Sequence, residues 1–252
     1  MKTKRIIALA ISVAILVCML VSCSGVSAAQ MVEDADKALL NTPYKLDMDM
    51  EVTCNDKEFS KYFTDFNIDS EMYVDGQNCQ MKLNIAGLGM DVTCVENDAY
   101  CIISLFGQDV KMMASVTEEQ RSEIFDLANS VDTNLGVVDF DNVSMSENDK
   151  GQFVITCTGL KIEAVDKYIE QYELGDDTDV SIDDITVEAV IEDGKYVSMS
   201  VIAECEYEFS GKAVVCEMKT VMEFDYESAK KIKAPSDANA YTKVDFDELF
   251  GD

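Results

Sequence analysis

From Tyr44 the chain alternates apolar and polar residues with a period of two. Tyr44, Leu46, Met48, Met50, Val52 and Cys54 are set against Lys45, Asp47, Asp49, Glu51 and Thr53. Successive strand side chains point to opposite faces, so this stretch predicts a strand with one face buried and the other in water. The alternation recurs at Phe66-Ile68-Met72-Val74, at Cys79-Met81-Leu83-Ile85 and at Met90-Val92-Cys94. It is longest at Val197, Met199, Val201, Ala203, Cys205, Tyr207 and Phe209, and returns at Val214, Cys216, Met218, Met222, Phe224 and Tyr226. Between the last two sets the outer positions carry Glu204, Glu206, Glu208, Glu217, Lys219 and Glu223. A helical period produces no such sidedness.

Slipping a strand pairing by one residue flips its inward set outward, so parity constrains the turns. A two-residue turn at Asp75-Gly76 pairs Met72 with Cys79, and one at Asn97-Asp98 pairs Cys94 with Cys101 and Val92 with Ile103. One at Ser210-Gly211 pairs Cys205 with Cys216 and Tyr207 with Val214. At Glu192-Asp193-Gly194 parity favours a three-residue loop with Gly194 in the left-handed region, pairing Ala189 with Val197 and Val187 with Met199. Further strands near 108–113, 137–146 and 152–158 make about eleven, more than an open sheet usually holds without curling.

Three segments break the alternation. Gln30 to Asn41 carries Met31, Val32, Ala35, Ala38 and Leu39 at helical spacing, and Pro43 stops it. Thr117 and Gln120 form a capping box for a helix to about Ser130, with Ile124, Phe125, Leu127 and Ala128 on one face. Ile162 to Tyr172 repeats the pattern with Val165, Ile169 and Tyr172. Helices this short are marginal alone and must bury their stripes against the sheet. The predicted class is α+β: a strongly curved antiparallel sheet with about three helices on its inner side.

The first residues read differently. Lys2, Lys4 and Arg5 precede an apolar run from Ile6 to Val21, which ends in Leu20-Val21-Ser22-Cys23. A basic start, an apolar stretch and a small residue before the cut describe an export signal. An uncleaved anchor is the other reading, since the run is near the lower limit of about 17 residues for spanning. Behind the signal, Ser24 to Ala29 is a short tether, and no Pro/Gly/Ser-rich break follows. The expected organisation is a signal over 1–22, a tether over 23–29 and one domain over 30–252.

The pattern Leu-Val-Ser-Cys resembles the lipobox of bacterial lipoproteins. The resemblance implies cleavage between Ser22 and Cys23, a diacylglyceryl group on Cys23, and a chain held on the outer side of a cell membrane. The lipobox, an N-terminal helix running into a Tyr-x-x-x-Met strand (Tyr44 to Met48) and the large helix-covered sheet together resemble the LolA/LolB and LppX/LprG-like lipoprotein superfamily. The stretch from Phe224-Asp225-Tyr226 to Ala234-Pro235 is similar to the way many Gram-positive members end. The family implies an open half-barrel whose concave side takes an acyl chain or lipid. Two departures from its chaperone members matter: this chain carries its own lipid, and its inner face is rich in Met and Cys.

Formal charge is −29, from 20 Lys+Arg against 49 Asp+Glu, and the cut removes three of the cations. Phosphate binding needs Lys and Arg, so nucleic acid is excluded as a partner. The chain has no His, which excludes Ser-His-Asp and Cys-His catalysis and the HExxH zinc site. No carboxylate pair is singled out for acid–base work and no phosphate loop exists, so the chain is read as a non-enzyme without a cofactor. The acidic run Gly175-Asp176-Asp177-Thr178-Asp179 matches part of a calcium loop from Asp177, but Ile182 stands where Gly is needed, and it reads as a solvated loop.

Beyond Cys18 and Cys23 lie Cys54, Cys79, Cys94, Cys101, Cys157, Cys205 and Cys216, an odd number. The parity pairings bring Cys94 to Cys101 and Cys205 to Cys216 within disulfide range, while buried thiols acting as small apolar residues are the other reading. No Cys-x-x-Cys or Met-x-x-Met cluster supports a copper site, so no metal is expected.

Met48, Met50, Met72, Met81, Met90, Met199, Met218 and Met222 share inward parity. With Leu46, Leu83, Val92 and Val201, and with Phe125 and Ile169 from the covering helices, they are the candidate cavity lining. A wall of flexible, polarisable Met can re-pack around variable apolar ligands. Two functions are expected: a membrane-anchored, monomeric module that binds an acyl chain, lipid or similar apolar ligand, or a non-enzymatic surface lipoprotein with a filled interior and no ligand.

Overall fold

The structure, a computed structural model, describes residues 26–56, 68–85, 88–105, 107–118, 120–121, 137–161, 180–209 and 212–246. Helix α1 (Val26–Asn41) leads into β1 (Tyr44–Cys54). A first meander follows: β2 (Ile68–Asp75), β3 (Asn78–Ile85), β4 (Leu88–Val95), β5 (Asp98–Leu105) and β6 (Gln108–Ser115). A second comprises β7 (Phe140–Glu147), β8 (Phe153–Leu160), β9 (Val180–Glu192), β10 (Lys195–Phe209) and β11 (Lys212–Asp225), and the two-residue β12 (Thr242–Lys243) comes last.

All belong to one 12-stranded sheet, ordered β12-β6-β5-β4-β3-β2-β1-β11-β10-β9-β8-β7. Every pairing is antiparallel except the parallel β12–β6. The sheet is open, with β12 and β7 at its edges. Strand β1 lies between the meanders and joins them by pairing with β2 on one side and β11 on the other. The twelfth strand, beyond the expected count, is too short for any periodicity to betray.

The sidedness is as expected, but three of the four hairpin registers differ by two residues. Asp75 pairs with Asn78, so the turn is Gly76-Gln77 and Met72 faces Met81, not Cys79. Val95 pairs with Asp98, so the turn is Glu96-Asn97 and Cys94 faces Ala99, not Cys101. Glu192 pairs with Lys195 around Asp193-Gly194, both at positive φ as a type I′ turn requires. An irregularity between Tyr196 and Ser198 then supplies the extra residue, so Met199 faces Ala189 and Val187 faces Val201. A slip of two leaves every side chain on its own face, which is why parity cannot detect it. The β10–β11 register is the expected one, with Cys205 opposite Cys216 and Tyr207 opposite Val214.

Helix α1 begins at Val26, a turn earlier than the apolar spacing predicts. Ala28 and Ala29 are buried, so part of the expected tether belongs to the folded unit. Ala28, Val32 and Ala35 pack with Met199, Val201, Val187 and Met222, which defines the inner face of the sheet. The capping box is present: Gln120 N–H donates to Thr117 Oγ1 at 3.1 Å, and Thr117 N–H donates to Gln120 Oε1 at 3.0 Å. The remainder of that expected helix and the one over 162–172, with Phe125 and Ile169, lie outside the described residues.

The chain after β11 crosses the outer face. Lys230 Nζ sits 3.4 Å from the Tyr73 ring centroid, Ile232 is buried, and Tyr241 meets Tyr100 edge-on at 5.3 Å. Lys111 Nζ reaches Asp237 Oδ2 at 2.6 Å. Strand β12 then covers the edge of β6, and Phe246 packs onto the inner cluster of Cys79, Val92, Cys94 and Cys101.

Candidate functional site

The inner face divides into a closed half and an open half. In the closed half, Met50, Met199, Val201, Met218 and Met222 are each at most 3% exposed, and Leu46 and Met72 are also buried. Met48 is half-buried beside them. Thr220 completes the row between Val201 and Met50; it is fully buried, and its hydroxyl has no hydrogen-bond partner. The period-two set skips it because Thr is polar, although its parity is inward.

Toward the far end of the first meander the covering thins. Leu83, Met90, Ile103 and Val110 form one cross-strand row over β3 to β6. The first three are half-buried and Val110 is 51% exposed. Leu88 and Leu105, farther along the same face, are 37% and 44% exposed. Met81 is half-buried and Val92 is buried at the inner end of this region. Clustered apolar exposure on one face marks an interaction or ligand surface more strongly than scattered exposed Leu does. Leu88, Ile103, Leu105 and Val110 were not among the residues expected to line the cavity, although the parity of Met90 extends to Leu88, that of Ile103 to Leu105, and Val110 faces Ile103 across β5 and β6.

Backbone hydrogen bonding sorts the cysteines. In an antiparallel pair, hydrogen-bonded sites hold Cα atoms about 5.5 Å apart and the alternate sites about 4.5 Å. Asn55 N–H donates to Val215 O at 3.0 Å, so Val215 turns its polar backbone toward β1. The next residue, Cys216, must turn its own toward β10. Cys54 and Cys216, in register on β1 and β11, therefore occupy a close site; their Cα atoms are 4.1 Å apart and a disulfide joins them. Cys205 and Cys216 occupy a wide site, and Cys205 keeps its thiol. The bridge thus runs to Cys54, a pairing the parity did not offer, and neither of the two possible bridges, 94–101 and 205–216, is formed. Cys79, Cys94, Cys101, Cys157 and Cys205 remain buried thiols, as the other reading has it.

Cys79 and Cys94 face each other on β3 and β4. Counting from the closing pairs Asp75–Asn78 and Val95–Asp98, this too is a wide site, and both remain thiols. A hydrogen bond between them draws the Cys79 thiol down, while the same bond and burial push Cys94 up. Burial pushes Cys101 and Cys157 up to about 11. The raised thiols of Cys94, Cys101 and Cys157 are packing groups rather than nucleophiles. Among the described residues, no group of three or more Cys, Asp or Glu is placed to hold a metal ion. The acidic run over 175–179 and the residues around Cys23 lie outside them.

A half-buried acid sits where α1 meets the sheet. Asp36 Oδ1 accepts a hydrogen bond from Tyr196 Oη at 2.9 Å, while Oδ2 is buried without a partner. Desolvation pushes this carboxyl up to about 7 against the lowering effect of Tyr196, and Glu33 adds to the rise. Tyr196, Phe224, Tyr44 and Tyr226 form a chain of ring contacts beside it.

Among the described residues, no helix is long and apolar enough to cross a membrane. The chain matches no protein-family model, and no curated protein is similar to it.

Proposed function

We propose that the chain is a lipoprotein anchored through Cys23 to the outer side of a cell membrane, and that it takes an acyl chain on the open half of its inner face. In this reading the sheet is a half-barrel of the LolA/LppX type, concave toward α1, with helices over 117–130 and 162–172 on the same side. The protein is a monomer with no catalytic role. The observation that supports it is the half-exposed row Leu83, Met90, Ile103 and Val110 with Leu88 and Leu105 beside it. An apolar chain laid along this row would remove its surface from water, at about 25 cal/mol per Å². The Cys23 anchor would keep the domain beside a bilayer that supplies such chains.

Native mass spectrometry of the chain from Ser24 to Asp252 tests the ligand. Co-purified lipid is expected, and Leu105→Glu should abolish it while leaving the thermal unfolding midpoint within a few degrees. A ligand-free spectrum from folded protein sinks the ligand reading. Metabolic labelling with a tagged fatty acid, lost in Cys23→Ala, tests the anchor separately.

The second reading, a surface lipoprotein with no ligand, draws on the closed half of the face. Met50, Val201 and Met222 are already covered by protein to within 1% of full burial. It predicts an empty spectrum together with intact fatty-acid labelling.

A further inference from the structure

Cys205, Cys216 and Cys54 stand in one cross-strand row on the neighbouring strands β10, β11 and β1. Cys216 is in the middle, bonded to Cys54 on one side and faced by the Cys205 thiol on the other. A disulfide exchanges when a thiolate attacks one of its sulfurs from the side opposite the departing sulfur. Cys205 stands on the strand across β11 from the one carrying Cys54, so it approaches Cys216 from the opposite neighbour. At a hydrogen-bonded site the expected Cα separation of about 5.5 Å lies within the range of about 4.4–6.8 Å that disulfides span. The bridge rests at the close 54–216 site, and the wide 205–216 site also admits one.

We propose that Cys205, Cys216 and Cys54 form an intramolecular thiol–disulfide exchange centre, in which the bridge moves between 54–216 and 205–216. Cys205 gives up its proton and attacks Cys216 Sγ; the bond from Cys216 to Cys54 breaks as the bond from Cys205 to Cys216 forms. Cys54 leaves as a thiolate and takes up a proton. One S–S bond replaces another, so no oxidant or reductant is consumed.

The consequence lies in burial. Cys205 is fully buried and Cys216 is 1% exposed, whereas Cys54 is half-buried at the end of β1. Exchange carries a thiol from the core to the rim of the sheet without unfolding the chain. There it can meet an electrophile or the disulfide of another molecule. This centre is independent of the ligand proposed above, since none of the three residues belongs to the open half of the face.

Alkylation of the oxidised, folded protein with iodoacetamide, followed by non-reducing peptide mapping, tests it. Cys54 should be labelled in molecules that carry a 205–216 bridge, and labelling should rise with pH as thiolate forms. Cys205→Ala should slow Cys54 labelling at least tenfold. Labelling of Cys54 at the same rate as buried Cys79 and Cys94 would report global unfolding and overturn the proposal, as would unchanged labelling in Cys205→Ala. If that variant fails to fold, Cys54→Ser decides: oxidised glutathione should produce a 205–216 bridge, lighter by two hydrogens, and persistent thiols at both positions would end the proposal.

Discussion

The Tyr196 hydroxyl donates to the Asp36 carboxylate at 2.9 Å, tying α1 to β10 across 160 residues of chain. Burial raises this acid to about 7, which makes the contact pH-dependent. Below about pH 4 the carboxyl is protonated in both the folded and unfolded chain and costs nothing. Between about pH 4 and 7 the unfolded chain ionises while the folded chain keeps its proton, so stability falls as pH rises; above 7 the loss is complete. The loss amounts to up to about 4 kcal/mol. Asp36→Asn keeps an acceptor for Tyr196 and removes the titration. The variant's melting temperature relative to the parent should therefore climb from pH 5 to pH 8. A constant difference would show that Asp36 does not titrate there.

Met222 and Leu88 share a face but differ in surroundings: Met222 is fully buried and Leu88 is 37% exposed. Met222→Ala should cost about 2–5 kcal/mol, because it leaves a cavity that close-packed neighbours cannot collapse. Leu88→Ala should stay within about 1 kcal/mol of the parent. Urea titrations followed by circular dichroism would measure both. Equal costs would mean that the division into closed and open halves is wrong.

The Cys54–Cys216 bridge spans 162 positions. Closing so long a loop removes much of the unfolded chain's freedom, so Cys216→Ser, which abolishes both alternative bridges, should cost about 2–5 kcal/mol. The same shift should follow full reduction of the parent protein. A loss under about 1 kcal/mol in both would show that the bridge contributes little to stability.

Thr117 and Gln120 satisfy each other's backbone N–H groups ahead of a predicted helix. Thr117→Ala should cost about 1 kcal/mol, and Thr117→Ser should restore most of it. Hydrogen exchange at residues 118–121 should quicken in the Ala variant alone.

How much of the fold could be read depended on which differences change the chemistry of a face. An odd slip would have turned Met72, Val92 or Met199 toward water, at a cost of about 1.5–3 kcal/mol for each side chain, so sidedness was legible. An even slip exchanges one inward partner for another. Met72 meeting Met81 instead of Cys79 leaves the pattern untouched, and the choice passed to backbone preferences at Gly76 and at Asp193-Gly194. The disulfide shows the same limit. Cys216 has a cysteine on either side, and only the order of strands, which seats β1 beside β11, brought Cys54 into reach. Asp36 carried no local mark at all; its half-buried setting is made by β10, far along the chain.

Local pattern determined by itself that these segments are strands and which side of each is apolar, through alternation, where α1 ends, through Pro43, and where the capping box begins, through Thr117 and Gln120. The tertiary structure alone decided that β1 lies beside β11, which cysteines meet at a close site, and which apolar side chains are covered by protein and which still face water. Those outcomes depend on groups brought together from distant parts of the chain, and pairwise distance and burial have no counterpart in a one-dimensional pattern.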